Sequence, residues 1–124
     1  MKYMLMMHGP DVLPAEDLQE SMAYLVKLCN ELVESGEFVS TEALVGPKQA
    51  KIVRGGVRNM PEITDGPFPE AKEFLLGYWI VDCDSMQRAC EIAANISKLP
   101  GPDGTPANMP IEVRELVTQS GGEL

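Results

Sequence analysis

Histidine occurs once in this chain, at His8, and cysteine three times, at Cys29, Cys83 and Cys90. A bound zinc ion asks for at least three good ligands, and one histidine without any C-x-x-C pair offers no such set, so no metal is expected. An odd number of cysteines without paired spacing fits a reducing compartment rather than a secreted disulfide framework, which makes the cytoplasm the expected location. Neither G-x-G-x-x-G nor G-x-x-x-x-G-K-[ST] nor G-x-S-x-G is present, so nucleotide cradles and a serine elbow are unsupported and no cofactor is expected. Long apolar runs are missing too. Nothing approaches the roughly 20 residues of a membrane span, and the run before His8 is too short for the core of a signal peptide. Basic residues are scarce, 10 against 19 acidic, for a net charge of −9. Such a surface repels nucleic acid and anionic membranes, so neither is expected as a partner.

What remains is an ordinary globular composition, 44% hydrophobic and 23% charged, in 124 residues. That length suits one domain spanning residues 1–124 with a single core. The charge is uneven: Lys48, Lys51, Arg54 and Arg58 follow one another with no acid between them. This run reads either as a solvated edge answering acidic neighbours or as a local patch that attracts anions.

Tyr3–Met7 is a short apolar run closed by His8-Gly-Pro-Asp11, which predicts a buried strand. Residues 15–35 repeat apolar positions Leu18, Met22, Leu25, Cys29, Leu32 and Val33 at helical spacing, with Pro14 and acids in the first turn and Gly36 at the end. Residues 37–45 predict a strand. Residues 49–54 predict another, stopped by Gly55-Gly56, with residues 62–64 returning as a hairpin. Asp65-Gly-Pro-Phe-Pro69 is dense turn chemistry, and residues 70–73 suit one helical turn. Phe74–Asp82 is apolar on both faces and predicts a central strand covered on both sides. Asp84 or Ser85 caps a second helix with Met86, Ala89, Cys90, Ala93 and Ile96 inward. Residues 99–108 form a loop, residues 111–117 a half-buried strand, and the tail after Thr118 should fray. The order predicts an α+β fold of the ferredoxin-like βαββαβ kind with an inserted hairpin. Helices cover only one face of such a sheet, so a second copy is expected on the other.

Chemistry has few candidates. Cys29 and Cys90 fall on apolar helix stripes, while Cys83, at a strand end, is the one expected to be more exposed. His8 is the side chain that titrates nearest neutrality and stands where a strand turns, so it is either a plain turn residue or an acid–base group needing an orienting carboxylate. Asp65 is the expected orienter if the hairpin folds back. Equally, Asp65 is an architectural residue that accepts backbone N–H bonds, with Phe68 pinning the turn into the core. Arg54 shares a strand face with Ile52 and should be partly buried, against Asp65, Glu73 or a bound anion.

The stretch Thr64-Asp-Gly-Pro-Phe-Pro-Glu-Ala-Lys-Glu73, followed by Gly77-Tyr-Trp-Ile-Val-Asp82, resembles the signature of the YCII-related family, in its DGPF branch. Met1–Met6 resembles that family's opening strand, Ala50–Arg54 its T-V-R strand, and Ile111–Arg114 its closing E-V-R strand. Tyr24 falls where the branch often carries a tyrosine. The resemblance implies a ferredoxin-like domain that pairs sheet against sheet into a dimeric α+β barrel. It implies little about activity. The His–Asp pair proposed for the YciI-like branch has its histidine on the first helix, and residues 15–35 contain none. Some DGPF-type proteins are found alongside extracytoplasmic-function sigma factors.

Two functional readings stay open, with a third that does nothing chemical. The first is a homodimer that binds a small organic anion in a cleft between sheet and first helix. Tyr24, Arg54 and Glu73 would bind there, with His8 and Asp65 as an acid–base pair. Arg54 would grip the anion bidentately. The second is a non-catalytic interaction module linked to a sigma factor. The third is a scaffold in which the motif only stabilises a turn.

Overall fold

Alternation decides the first strand. In the computed structural model, which describes residues 1–10, 18–101 and 104–117, β1 runs Lys2–Gly9 with Tyr3, Leu5 and Met7 buried and Met4, Met6 and His8 half-buried on the other side. The first helix, α1, spans Leu18–Ser35, and β2 spans Phe38–Ala43. A hairpin follows, β3 (Lys51–Val57) and β4 (Met60–Asp65), then β5 (Phe74–Asp82), α2 (Met86–Ser97) and β6 (Ile111–Glu115). The main sheet has the order β2-β5-β1-β6, antiparallel throughout, and β3-β4 form a separate two-stranded sheet. This is the ferredoxin-like α+β arrangement with a hairpin inserted after β2.

Both helices lie on one face of the main sheet. Tyr3, Leu5, Trp79 and Val81 meet Ala89, Ile92, Ala93 and Ile96 of α2 and Leu32 of α1 in one core. On the opposite face Met4, Met6, Tyr78 and Ile80 lie side by side in register with no element of the described chain over them. Within one chain, then, β5 is covered on one face only.

The core-facing row of α1 is only partly the expected one, with Leu25, Cys29 and Leu32 packed on the core as expected. Ser21 and Leu32 are buried and Leu25 and Leu28 pack against the core, whereas Met22 and Val33 are both more than half exposed. Two polar contacts set the rotation. Ser21 Oγ donates to the Pro100 carbonyl at 2.9 Å, which lets a serine sit inside, and Tyr24 Oη donates to the Asn95 carbonyl at 2.7 Å, drawing α1 toward α2. The expected start of this helix at residues 15–17 lies outside the described residues. In α2, Ser85 is the cap, accepting from the Arg88 N–H at 3.1 Å. Ile92 faces inward, while Met86 and Cys90 are exposed; Cys90 stands about 100° round the helix from Ala89.

The hairpin turns at Arg58-Asn59, both at positive φ (55° and 60°), the backbone of a two-residue type I′ turn. Gly55-Gly56 therefore does not stop β3. Gly56 instead takes φ +71° inside a bulge, where a Cβ would fall 1.9 Å from the Met60 carbonyl oxygen. Residues 70–73 make no helical turn; the Ala71 N–H bonds the Phe68 carbonyl at 3.0 Å and the chain goes straight on to β5. The Gly66–Pro67 peptide is cis. Beyond α2 the loop is well tied: Leu99 and Met109 are buried, Pro100 bridges to Pro106, and Ser97 Oγ donates to the Met109 carbonyl at 2.6 Å. The tail after Thr118 lies outside the described residues.

Candidate functional site

The space between α1 and the sheet exists because two neighbouring strands carry almost no side chain there. Ala43 of β2 pairs with Gly77 of β5, and β2 approaches so closely that a Cβ on Gly77 would stand 2.7 Å from the Glu42 carbonyl oxygen. Above this flat patch the rotated α1 presents Met22, Leu25, Val26 and Cys29. The result is a cleft of about 280 Å³ floored by Gly77, Ala43 and Trp79 and flanked by Met7 and Leu76. Its polar members are few. Thr41 already donates to the Tyr78 carbonyl at 2.9 Å, and Glu42, in register with Tyr78, is turned by strand alternation to the other face of the sheet. Such a wall suits an apolar body.

A second, more open cavity of about 500 Å³ lies where the hairpin leaves the main sheet. Leu44, Val45 and Pro47 form one side and Pro67, Phe68, Phe74 and Leu75 the other, with Glu73 at its border. Phe68 is 60% exposed and lines this cavity, so it does not pin the turn into the core.

The structure disperses the residues picked from sequence. His8 lies on the open face and Nε2 is 3.2 Å from Glu112 Oε1. Asp65 is paired with Lys51, its register partner across the hairpin. The Lys51 ammonium holds the Asp65 carboxyl below the usual carboxylate range. That carboxylate accepts from Lys51 rather than capping N–H groups of the turn, and it does not orient His8. Arg54 stands opposite Glu62 on β3 and is exposed rather than partly buried. Tyr24 spends its hydroxyl on Asn95, and Glu73 lies at the hairpin cavity. Cys83 is buried, its thiol pushed up by burial and its Sγ 3.5 Å from the Ser85 carbonyl oxygen, so it is a core residue rather than a nucleophile.

Two residues that sequence reading passed over do organise the molecule. Glu112 supplies the carboxylate beside His8; strand alternation placed it on a face, but which side chain it would meet depends on the β1–β6 register. Arg88 grips Glu37 with two hydrogen bonds, Nε to Oε2 at 2.9 Å and a terminal nitrogen to Oε1 at 2.8 Å. Arg88 also reaches Glu91 at 3.2 Å. The Glu37 hydrogen bonds raise the Arg88 pKa, and Arg88 holds the Glu37 carboxyl low. Among the described residues no group of three or more metal-ligating side chains converges, and no helix is long and apolar enough to cross a membrane.

A ferredoxin-like sheet with helices on one face, an inserted hairpin and a Gly-floored cleft defines a small α+β class of chain. Residues 1–111 match the model of the YCII-related domain, and the chain belongs to that family. It is similar to an uncharacterised protein of Rhizobium meliloti (strain 1021), 31% identical over 109 residues, which cover 88% of this chain and 83% of that protein.

Proposed function

We propose that this protein is a homodimeric small-molecule-binding member of the DGPF branch, acting in the cytoplasm. Its ligand is an organic molecule with an apolar body and an anionic end. The cleft under α1 carries this reading. Protein interiors are close-packed, and about 280 Å³ of apolar-walled space over Ala43 and Gly77 is room a core would otherwise fill. The dimer rests on the open sheet face, where Met4, Met6, Tyr78 and Ile80 form an apolar strip between Lys2, Asp82, Glu112 and Arg114. A self-complementary pairing of such faces suits a two-fold axis. The anionic end rests on charge contrast alone: in a chain of net −9 only residues 46–65 concentrate positive charge, and none of the residues lining the cleft is basic. The His8–Glu112 couple stands on the other face of the sheet, so the acid–base chemistry it could supply belongs to the open face and not to the cleft under α1.

Calorimetric titration with medium-chain carboxylates and their uncharged amides tests the cleft. Wild type should bind, the carboxylates more tightly, and a cleft-filling Cys29→Phe variant that keeps its dimer should not. Equal binding by both proteins would sink the cleft reading. The interaction-module alternative, with a sigma factor as partner, draws on one observation. Val45 and Phe68 at the base of the hairpin and Val57 and Met60 at its tip are large apolar side chains at least 60% exposed. A stable complex between the purified protein and such a factor, unaffected by Cys29→Phe, would favour it.

A further inference from the structure

The β3–β4 hairpin is an arm without a seat. Val53 and Ile63 point to one of its faces, and Val57 and Met60 to the other, each at least 60% exposed. No other element of the described chain packs substantially against it. A lone two-stranded hairpin is marginal in water, and four large apolar side chains spread over both faces make a solvated arm worse. Its charge is equally out of place. Residues 46–65 carry four bases and two acids, so the other 104 residues hold a net charge of −11.

We infer that the arm of one protomer docks on a second copy of this chain, at the hairpin end of the partner's open sheet face, and places Arg54 beside the partner's His8–Glu112 couple. The inference rests on the dimer proposed above and adds that the His8 site is built from two chains.

The receiving surface is one register row crossing all four strands: Glu42, Tyr78, Met6 and Glu112. It is acidic at both ends and apolar in the middle, and His8, paired with Leu75, is the next residue of β1 on that face. The arm face bearing Met60 and Val57 also bears Arg54 and Glu62, by alternation along β4 and the pairing of β3. Apolar side chains thus meet Tyr78 and Met6, and a guanidinium meets a carboxylate. The arm also leaves the main sheet at the right end. β2 finishes at Ala43 and β5 begins at Phe74, the end at which His8 pairs with Leu75. Under a two-fold axis each arm reaches the other copy's row, giving two equal contacts. Opposite charge selects this surface over others, and its removal weakens association.

The test uses full-length chain, half of it isotopically labelled, mixed and re-equilibrated. Arg54→Lys places an amine where the guanidinium stood, and a carbodiimide joins amines to carboxylates in contact. The expected product is a mixed-label peptide linking position 54 to Glu112 or Glu42, alongside the same-label Lys51–Asp65 link as an internal control. Separately, Arg54→Glu should raise the dimer dissociation constant by about tenfold, and Glu112→Lys added to it should recover most of the loss. A dimer by light scattering that gives only same-label links from position 54 would overturn the arm exchange and leave the dimer standing. A monomer would overturn both. Unchanged dissociation in Arg54→Glu would overturn the placement of Arg54.

Discussion

Glu37 and Arg88 show how one pair of side chains ties distant parts of the chain together. Glu37 stands just before β2 and Arg88 in the first turn of α2, and their two-pronged contact closes the edge of the core. Because the pair is partly exposed, Arg88→Ala should cost about 1.5–3 kcal/mol, the range for hydrogen bonds to charged groups, rather than the larger penalty of a fully buried pair. The folded carboxyl sits below its ordinary value of 4.5, so its contribution is present above that value and is lost as pH falls through the lower, folded one. Denaturant melts should therefore separate wild type from Glu37→Gln at neutral pH and bring them together in acid. Asp65 makes the contrast. Its pairing with Lys51 is solvent-exposed, and Asp65→Ala should leave the main melting transition unmoved. Thiol chemistry divides the same way: a disulfide reagent should modify exposed Cys90 in the native protein and reach buried Cys83 only on unfolding.

At the scale of elements, two glycines that both lie within strands should behave oppositely. Gly77→Ala thrusts a methyl group against the Glu42 backbone and should destabilise by about 1–3 kcal/mol, the usual cost of overpacking. A methyl group on Gly55 meets nothing within 4 Å, so Gly55→Ala should leave stability level or raise it by up to about 1 kcal/mol. Thermal melts of both variants decide this. The same positions explain what could be read in advance. β5 was legible to the residue because a nine-residue apolar run between turn signals has one reading, and the cap of α2 was legible to within two residues, Asp84 or Ser85. The hairpin's existence was legible too, but its turn was not. Gly55-Gly56 and Arg58-Asn59 both carry turn signals, and only the close approach of Met60 shows that the glycines serve a bulge. The facing of α1 was legible in part: Leu25, Cys29 and Leu32 pack on the core as their spacing requires, but spacing ranks Met22 above Ser21, and only the Pro100 carbonyl, some 80 residues away, makes Ser21 an inner residue.

For the whole molecule, the fold was legible and the site was not. Element order determines the β2-β5-β1-β6 sheet, but which side chains converge depends on registers between strands far apart in sequence. His8 stands beside a carboxylate, but that carboxylate is Glu112 rather than the expected Asp65. Charge acts at this scale as well. If a basic arm holds two acidic bodies together, sedimentation should show the dimer weakening as salt rises from about 0.05 to about 0.5 M, where the screening length shrinks to a few ångströms. An interface resting on the apolar sheet faces alone would hold or tighten.

The base of the hairpin has one more consequence. The Gly66 N–H bonds the Ala50 carbonyl at 2.8 Å, and Lys51 stands opposite Asp65, so the arm leaves and re-enters the body at a single point. A segment whose two ends already touch is a detachable module. It can be shortened, lengthened or exchanged between relatives without disturbing the register of any strand below it. The arm and the body can thus diverge at separate rates, the body answering to packing and the arm to whatever it grips. Joining Ala50 directly to Gly66 should leave a sheet that folds and a dimer that assembles more weakly.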